Sequence, residues 1–167
     1  MIMMKSAAIG RVTFALLLMS PAAVNAQAIQ AQSRMPPGTG QAEAGRVHRV
    51  VVQLSQNDPA VMNMALNNVE NLVKFFQDKG EAVEVEFVAY GAGLNIFRAD
   101  TSPVKDRLTA ISATMKNVTF SGCGNTLANQ SRMENKEISL IPEARIVPTG
   151  IARIVELEEQ GWTYVRP

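Results

Sequence analysis

The chain has 167 residues, of which 47% are hydrophobic and 19% charged, and its formal net charge is +1. This near-neutral charge, without any run of basic residues, argues against nucleic acid or an anionic membrane as the main partner, because both require clustered lysine and arginine. The single cysteine excludes an internal disulfide, so packing must hold the fold together.

The first 26 residues have the pattern of a secretory signal peptide. Lys5 and Arg11 give a basic start, residues 12–19 are apolar, and small residues near Ala26 fit a cleavage site. The apolar run is much shorter than the ~20 residues that span a bilayer. We therefore expect a periplasmic or secreted protein that keeps no membrane contact after cleavage; the alternative is an uncleaved amphipathic tail. Without Lys5 and Arg11, the 16 basic residues become 14, against 15 acidic ones.

Residues 27–45 are rich in glutamine, alanine, glycine and proline and show no hydrophobic period. This composition is typical of a flexible linker. Residues 46–167 are near the usual size of one domain and are long enough to bury one core. The chain thus divides into signal peptide, linker and a single domain.

Strand and helix patterns alternate along the domain. Apolar runs predict strands at 47–54, 83–89, 118–121, 145–148 and 162–165. Apolar residues at spacings of three and four predict helices at 59–80, 101–115, 125–133 and 149–161. Residues 94–97 suggest a short turn or helix, whereas 138–141 fit neither pattern clearly. This alternation predicts a parallel sheet with right-handed crossovers and helices on both faces.

Ligands and reactive groups of parallel sheets gather where the strands end and the loops leave toward the helices. Three predicted loops meet at that edge, and the loop after the fourth strand is a possible fourth. The candidate pocket residues are Asn57, Gly91, Gly93, Gly122, Gly124, Asn125 and Thr149.

Cys123 lies in the third of these loops, between a strand and a helix. Unpaired backbone N–H groups and the helix dipole lower the pKa of a thiol at such a position and favour the reactive thiolate. Glycines on both sides would let the backbone approach a ligand closely. Two alternatives remain: Cys123 is a small buried packing residue, or it forms a disulfide with another chain.

No cofactor or metal site is predicted. His48 is the only histidine and lies inside the first strand, which argues against a metal centre or a Cys–His pair. Residues 91–93 lack the third glycine of a dinucleotide-binding loop, so a tight turn is the simpler interpretation.

Four ordered segments, at 65–72, 85–94, 120–127 and 146–157, form a pattern with the ending Gly-Trp-Thr-Tyr-Val-Arg-Pro. The third segment reads Phe-Ser-Gly-Cys-Gly-Asn-Thr-Leu. Together they resemble the DsrE family of the DsrE/DsrF-like sulfur-relay superfamily, over nearly all of residues 46–167. The resemblance implies a three-layer α/β/α sandwich around a mostly parallel five-stranded sheet. It also implies a homo-oligomer, usually a trimer or hexamer.

In sulfur-relay members of that family, a cysteine at the position matched by Cys123 carries sulfane sulfur as a persulfide. The resemblance therefore implies an exported thiol or persulfide sulfur carrier that acts through Cys123, with a sulfur donor or acceptor protein as partner. The alternative is a noncatalytic oligomeric module that binds a small ligand or a protein, in which Cys123 is structural. Whether the protein is an enzyme stays open at this point.

Overall fold

The computed structural model of the protein describes residues 46–167. The predicted signal peptide and linker, and with them the prediction of export, lie outside the described residues. The strands are β1 (Val47–Leu54), β2 (Ala82–Ala89), β3 (Val118–Cys123), β4 (Ala144–Val147) and β5 (Thr163–Val165). The α-helices are α1 (Pro59–Asp78), α2 (Lys105–Thr114), α3 (Gly124–Glu134) and α4 (Gly150–Glu159), and Gly91–Phe97 form a 3-10 helix.

The five strands form one parallel sheet in the order β4-β3-β2-β1-β5. Helices lie on both faces, which confirms the predicted α/β/α sandwich. Because all strands run in the same direction, their carboxyl ends share one edge of the sheet. In the register there, Ala89 of β2 pairs with Gly122 of β3, and Cys123 pairs with Val147 of β4.

Helix α1 shows how the sequence sets the first crossover. The Asp58 carboxylate caps the helix by accepting a hydrogen bond from the backbone N–H of Ala60 at 2.7 Å, and Pro59 occupies the first turn, where no backbone N–H is needed. The face that packs on the sheet is apolar and buried: Met62, Ala65, Leu66, Val69 and Val73. The predicted helix is confirmed.

The two faces of the sheet differ in the size of the apolar core that covers them. Helices α1 and α2 and the 3-10 helix cover the first face, where the rings of Phe87, Phe97 and Phe120 lie with centroids 5.5–6.3 Å apart. The second face has a small apolar cluster in which Val51 and Val88 contact residues of α4. Helix α3 buries none of its residues and contacts the 3-10 helix of the first face, where Gln130 donates to the Gly91 carbonyl. Within residues 46–167, α4 is the helix that packs on the second face, and part of the sheet beside it has a polar surface.

Two predicted boundaries are wrong by a few residues. Helix α2 begins at Lys105 rather than at 101, because the Ser102 hydroxyl accepts from the Val104 N–H and donates to the Ile96 carbonyl, which holds this segment in a turn. Strand β3 continues to Cys123 rather than ending at residue 121, because its last residues pair with β4. No helix within residues 46–167 combines the length and apolar character that a membrane span requires.

Candidate functional site

The loops at the carboxyl edge of the sheet contact one another, as predicted. The backbone N–H of Gly91 donates to the Thr126 hydroxyl at 3.0 Å, and the Gln130 side chain donates to the Gly91 carbonyl at 3.2 Å. The Asn125 N–H donates to the carbonyl of Pro148 at 3.2 Å. These bonds join the loops after β2, β3 and β4 around the start of α3.

Cys123 is both the last residue of β3 and the N-cap of α3. Its Sγ accepts a hydrogen bond from the Thr126 N–H at 3.5 Å. Side chains alternate along a strand, so Cys123 lies on the second face of the sheet together with Ser121. The residue is 4% exposed. The thiol therefore lies at the predicted strand-to-helix junction, but almost fully covered.

Opposing effects act on the pKa of this thiol. Burial raises the pKa, because it disfavours the charged thiolate. Hydrogen bonds from the Thr126 side chain and from the backbone amides of Gly150, Thr126 and Asn125 lower it. The hydrogen bonds outweigh burial, and the pKa of Cys123 lies below the ordinary thiol value. The hydrogen-bond donors around Sγ thus stabilise the thiolate of this covered residue more than water stabilises that of an ordinary cysteine.

Gly150, the first residue of α4, covers the thiol from the side of the second helix layer. A Cβ at this position would lie 3.3 Å from the Cβ of Cys123 and 3.0 Å from the Cβ of Tyr90. The absence of a side chain thus lets α4 begin directly over the thiol. Tyr90 was not among the predicted site residues. Gly150 belongs to the predicted loop after the fourth strand, the possible fourth loop at this edge, although only Thr149 of that loop was a pocket candidate.

A chain of polar side chains runs across the sheet toward this site. The Tyr164 hydroxyl donates to Gln53 Oε1 at 3.1 Å, and Gln53 Nε2 donates to the Tyr90 hydroxyl at 3.1 Å. Gln53 is only 3% exposed, so both ends of its amide need these partners. The chain fixes the ring of Tyr90 beside Gly150 and ties the edge strand β5 to the carboxyl edge.

Three of the predicted glycines serve close packing. A Cβ on Gly93 would lie 2.6 Å from the carbonyl oxygen of Leu54, and one on Gly122 would lie 2.5 Å from the Leu140 side chain. Gly122 therefore packs into the core of the first face, opposite to the face of Cys123. A Cβ on Gly124 would lie 3.1 Å from Ile146 of β4.

The other candidates lie around the edge. Asn57 accepts a hydrogen bond from the Asn95 side chain at 2.9 Å, which joins the loop after β1 to the 3-10 helix. Gly91 has a φ of +56°, in the left-handed region that favours glycine, and Asn125 is exposed on α3. Thr149 is half-buried and lines a cavity of about 330 Å³ beside β4.

His48 lies far from the thiol in the sheet. It is near the amino end of β1, whereas Cys123 ends β3, so the two residues belong to opposite edges. Its Nε2 lies 2.8 Å from a Glu81 carboxylate oxygen, and its ring stacks on Phe76 at a centroid distance of 4.0 Å. Residues 46–167 contain no group of three or more His, Cys, Asp or Glu side chains arranged to hold a metal ion.

A buried ion cluster on the second face was not predicted. Glu86 is 2% exposed and accepts hydrogen bonds from Ser121, Arg145 and Arg153. Burial raises the pKa of Glu86, but these hydrogen bonds outweigh it and lower the pKa to about 2. The sequence signal was an acidic residue inside an apolar strand, which requires a partner when both faces of the sheet are covered.

The comparisons with known proteins support the fold. No family model matches the chain, and no curated protein matches it. The chain is similar to a solved structure, that of the protein of unknown function MTH1491 from Methanobacterium thermoautotrophicum. The match has 29% sequence identity and a TM-score of 0.60, and covers 72% of this chain and 99% of that chain. The likeness extends over nearly the whole neighbour and assigns no activity.

Proposed function

We propose that this protein is a thiol-based sulfur carrier in which Cys123 holds sulfane sulfur as a persulfide. The observation that carries the proposal is the placement of Sγ at the N-terminus of α3, where amide N–H groups lower the thiol pKa. The resemblance to the DsrE family supports the same residue independently. In both arguments Cys123 is the only residue assigned to the chemistry.

The transfer conserves atoms and electrons. The Cys123 thiolate attacks the outer sulfur of a persulfide donor, and a new S–S bond forms between Sγ and that sulfur. The S–S bond within the donor breaks, and the donor leaves as a thiolate with the electron pair of that bond. Delivery to an acceptor thiol is the same reaction in the opposite direction. The amides at the start of α3 stabilise both the thiolate and the anionic persulfide, which lets Cys123 act as acceptor and as donor.

The 4% exposure of Cys123 sets the kind of reagent that reaches it. A small inorganic polysulfide needs little space, whereas a bulky alkylating reagent needs the loops around Gly150 to move. We therefore expect sulfur transfer from small donors to be faster than alkylation by bulky maleimides. This difference in rate would reflect the limited access to the buried thiol and not its protonation state, since both reactions begin with the thiolate.

The test is intact-mass measurement after incubation of reduced protein with inorganic polysulfide. The wild type should gain the mass of one sulfur, and dithiothreitol should remove it. Cys123→Ser, the matched control, should gain none. A reduced wild type that stays unmodified, or a Cys123→Ser variant that gains the same mass, would refute the sulfur carrier.

The second candidate is a noncatalytic binding module in which Cys123 is a packing residue. Its supporting observation is the burial of the thiol between Gly150 and the start of α3. Here Cys123 should react with iodoacetamide only above the denaturant concentration that unfolds the domain. Reaction in native buffer would contradict the packing interpretation.

The assembly and location expected from the sequence belong to the same proposal. We propose a homo-oligomer, supported by apolar side chains that α4 leaves exposed: Ile151 is 56% and Val155 49% exposed in the single chain. We also propose that the protein is exported to the periplasm or medium and that its partner is a sulfur donor or acceptor protein.

A further inference from the structure

A groove lies on the second face of the sheet, over the part of the sheet that α4 leaves uncovered. Its volume is about 580 Å³, within the ~300–1,000 Å³ that is usual for small-ligand sites. Its lining combines cationic, polar and aromatic side chains: Glu84, Glu86, Lys116, Asn117, Thr119, Arg145, Arg153 and Trp162, with Val85. Arg145 and Arg153 also line the neighbouring cavity at Thr149, so the two cavities adjoin along β4 and α4.

A cluster of ion pairs forms the floor of the groove. The Glu86 carboxylate accepts from Arg153 Nε at 2.9 Å and Nη2 at 2.8 Å, and its Oε2 lies 2.7 Å from Arg145 Nη2. Arg153 Nη1 also lies 3.4 Å from a Glu156 carboxylate oxygen, so the two guanidinium groups are matched by two carboxylates. Glu84 is already paired with Arg49 at 3.1 Å. The net positive charge of the groove lining therefore comes from Lys116, which is exposed and donates only to the Ser112 carbonyl at 2.9 Å within residues 46–167.

Arg145 is the cation whose donors remain available. Its Nε donates to the Ser121 hydroxyl at 2.9 Å, and Nη2 contacts Glu86. Within residues 46–167, no partner is found for Nη1, and the side chain is 51% exposed. A guanidinium that is anchored on one edge and open on the other is preorganised to hold a carboxylate or sulfonate.

Trp162 gives the groove an apolar wall. The indole is half-buried and packs against the cluster formed by Val51, Val88 and α4. A ligand that contacts this wall needs an apolar body, and one that contacts Arg145 needs an anionic head.

We propose that this groove binds a small organic anion, with its carboxylate or sulfonate on Arg145 and its apolar body against Trp162. The site is separate from the thiol chemistry. Arg145 and Cys123 lie on the same face of neighbouring strands, but Cys123 pairs with Val147, two residues or ~7 Å further along β4. The anion site therefore does not require Cys123 to react.

The chain contains a single tryptophan, Trp162, so its fluorescence reports on the groove alone. We would titrate the full chain with phenylacetate, acetate and sulfate at constant ionic strength. Phenylacetate should give a saturable change and bind more tightly than acetate or sulfate. If sulfate binds as tightly as phenylacetate, the groove does not select an organic anion and the proposal is refuted. If no probe gives a saturable change, the groove is not an anion-binding site.

Arg145→Gln tests the anionic contact. Glu86 keeps Arg153 in this variant, so the floor stays paired, and phenylacetate should bind about tenfold more weakly. The matched control is Arg132→Gln, which removes the same charge from exposed α3 outside the groove, and should bind as the wild type does. Equal weakening in both variants would show that only net charge matters and would overturn the proposal. If Arg145→Gln does not fold by circular dichroism, Arg145→Met removes the same charge and applies the same criterion.

Cys123→Ser separates the two proposals. It should bind phenylacetate as the wild type does, whether or not the wild type accepts sulfur. Loss of binding in this variant would contradict the separate anion site, whereas a negative polysulfide test alone would refute only the sulfur carrier.

Discussion

The buried Glu86 cluster allows a quantitative prediction for Glu86→Gln. Burial raises the pKa of Glu86, but hydrogen bonds from Arg153, Arg145 and Ser121 lower it from 4.5 to about 2. Each pKa unit corresponds to about 1.4 kcal/mol, so the charged form contributes about 3 kcal/mol to the free energy of unfolding near neutral pH. Glutamine keeps the shape of the side chain but loses the charge, and should lose about that amount.

The pH dependence has a definite sign. The pKa of Glu86 is lower in the folded state, so its stabilisation is complete above about pH 5 and is lost as the pH falls from 4.5 toward 2. The wild-type and Glu86→Gln stabilities should therefore converge across this range. Asp100 and Glu134 also have lowered pKa values because of their hydrogen bonds to Arg98, and they titrate in both proteins. The difference between the two curves isolates Glu86.

Urea denaturation at a series of pH values measures this difference. Glu159→Gln is the control, because Glu159 is exposed at the end of α4 and forms no ion pair within residues 46–167. The control should follow the wild type within about 0.5 kcal/mol at every pH. If Glu86→Gln differs from the wild type by a constant amount from neutral pH down to pH 2, the loss is one of packing rather than charge, and the reasoning fails.

Two further substitutions test the thiol and the carboxyl edge. Thr126→Val should raise the pKa of Cys123, because it removes the side-chain hydrogen bond that opposes the effect of burial, and Thr126→Ser should keep the pKa low. The rate of reaction with iodoacetamide as a function of pH measures the thiol pKa in each variant. If the wild-type and Thr126→Val pH profiles coincide, the Thr126 hydroxyl does not act on the thiol. Gly93→Ala should lower the free energy of unfolding by about 1–3 kcal/mol, because its Cβ would lie 2.6 Å from the carbonyl oxygen of Leu54. Unchanged stability in urea would show that the 3-10 helix moves away without cost.

The sequence was sufficient for the order of strands and helices, because each crossover helix carries an apolar face and a recognisable start. Asp58-Pro59 begins α1, and Thr149-Gly150 begins α4 where predicted. The sequence pattern was less reliable near residue 101. There the Ser102 hydroxyl accepts a hydrogen bond from the Val104 N–H, and the helix begins only at Lys105. Local competition of this kind shifts a boundary without changing the fold.

The polar second face was harder to predict, although its pattern is visible in the strands. Polar residues alternate with apolar ones in β2 and β3, at Glu84, Glu86, Thr119 and Ser121. The prediction of strands from apolar runs alone hides this alternation. The partner of Glu86 could not be found from local pattern, because Arg153 follows it by 67 residues and meets it only when α4 crosses the sheet.

The alternation along β3 connects the two proposals while keeping them experimentally separate. Ser121 orients Arg145 in the groove, and Cys123, two residues later on the same face, ends the strand at the amides of α3. Because side-chain direction repeats every two residues, the pairing that places one of these groups on the second face also places the other. The register of β3 with β4 therefore determines both sites.

Arg145→Gln alters the groove without reaching the α3 amides, and Cys123→Ser alters the thiol without removing a groove charge. A protein that binds phenylacetate but accepts no sulfur would then be a binding module, whereas the reverse result would identify a sulfur carrier whose arginines serve only to hold Glu86.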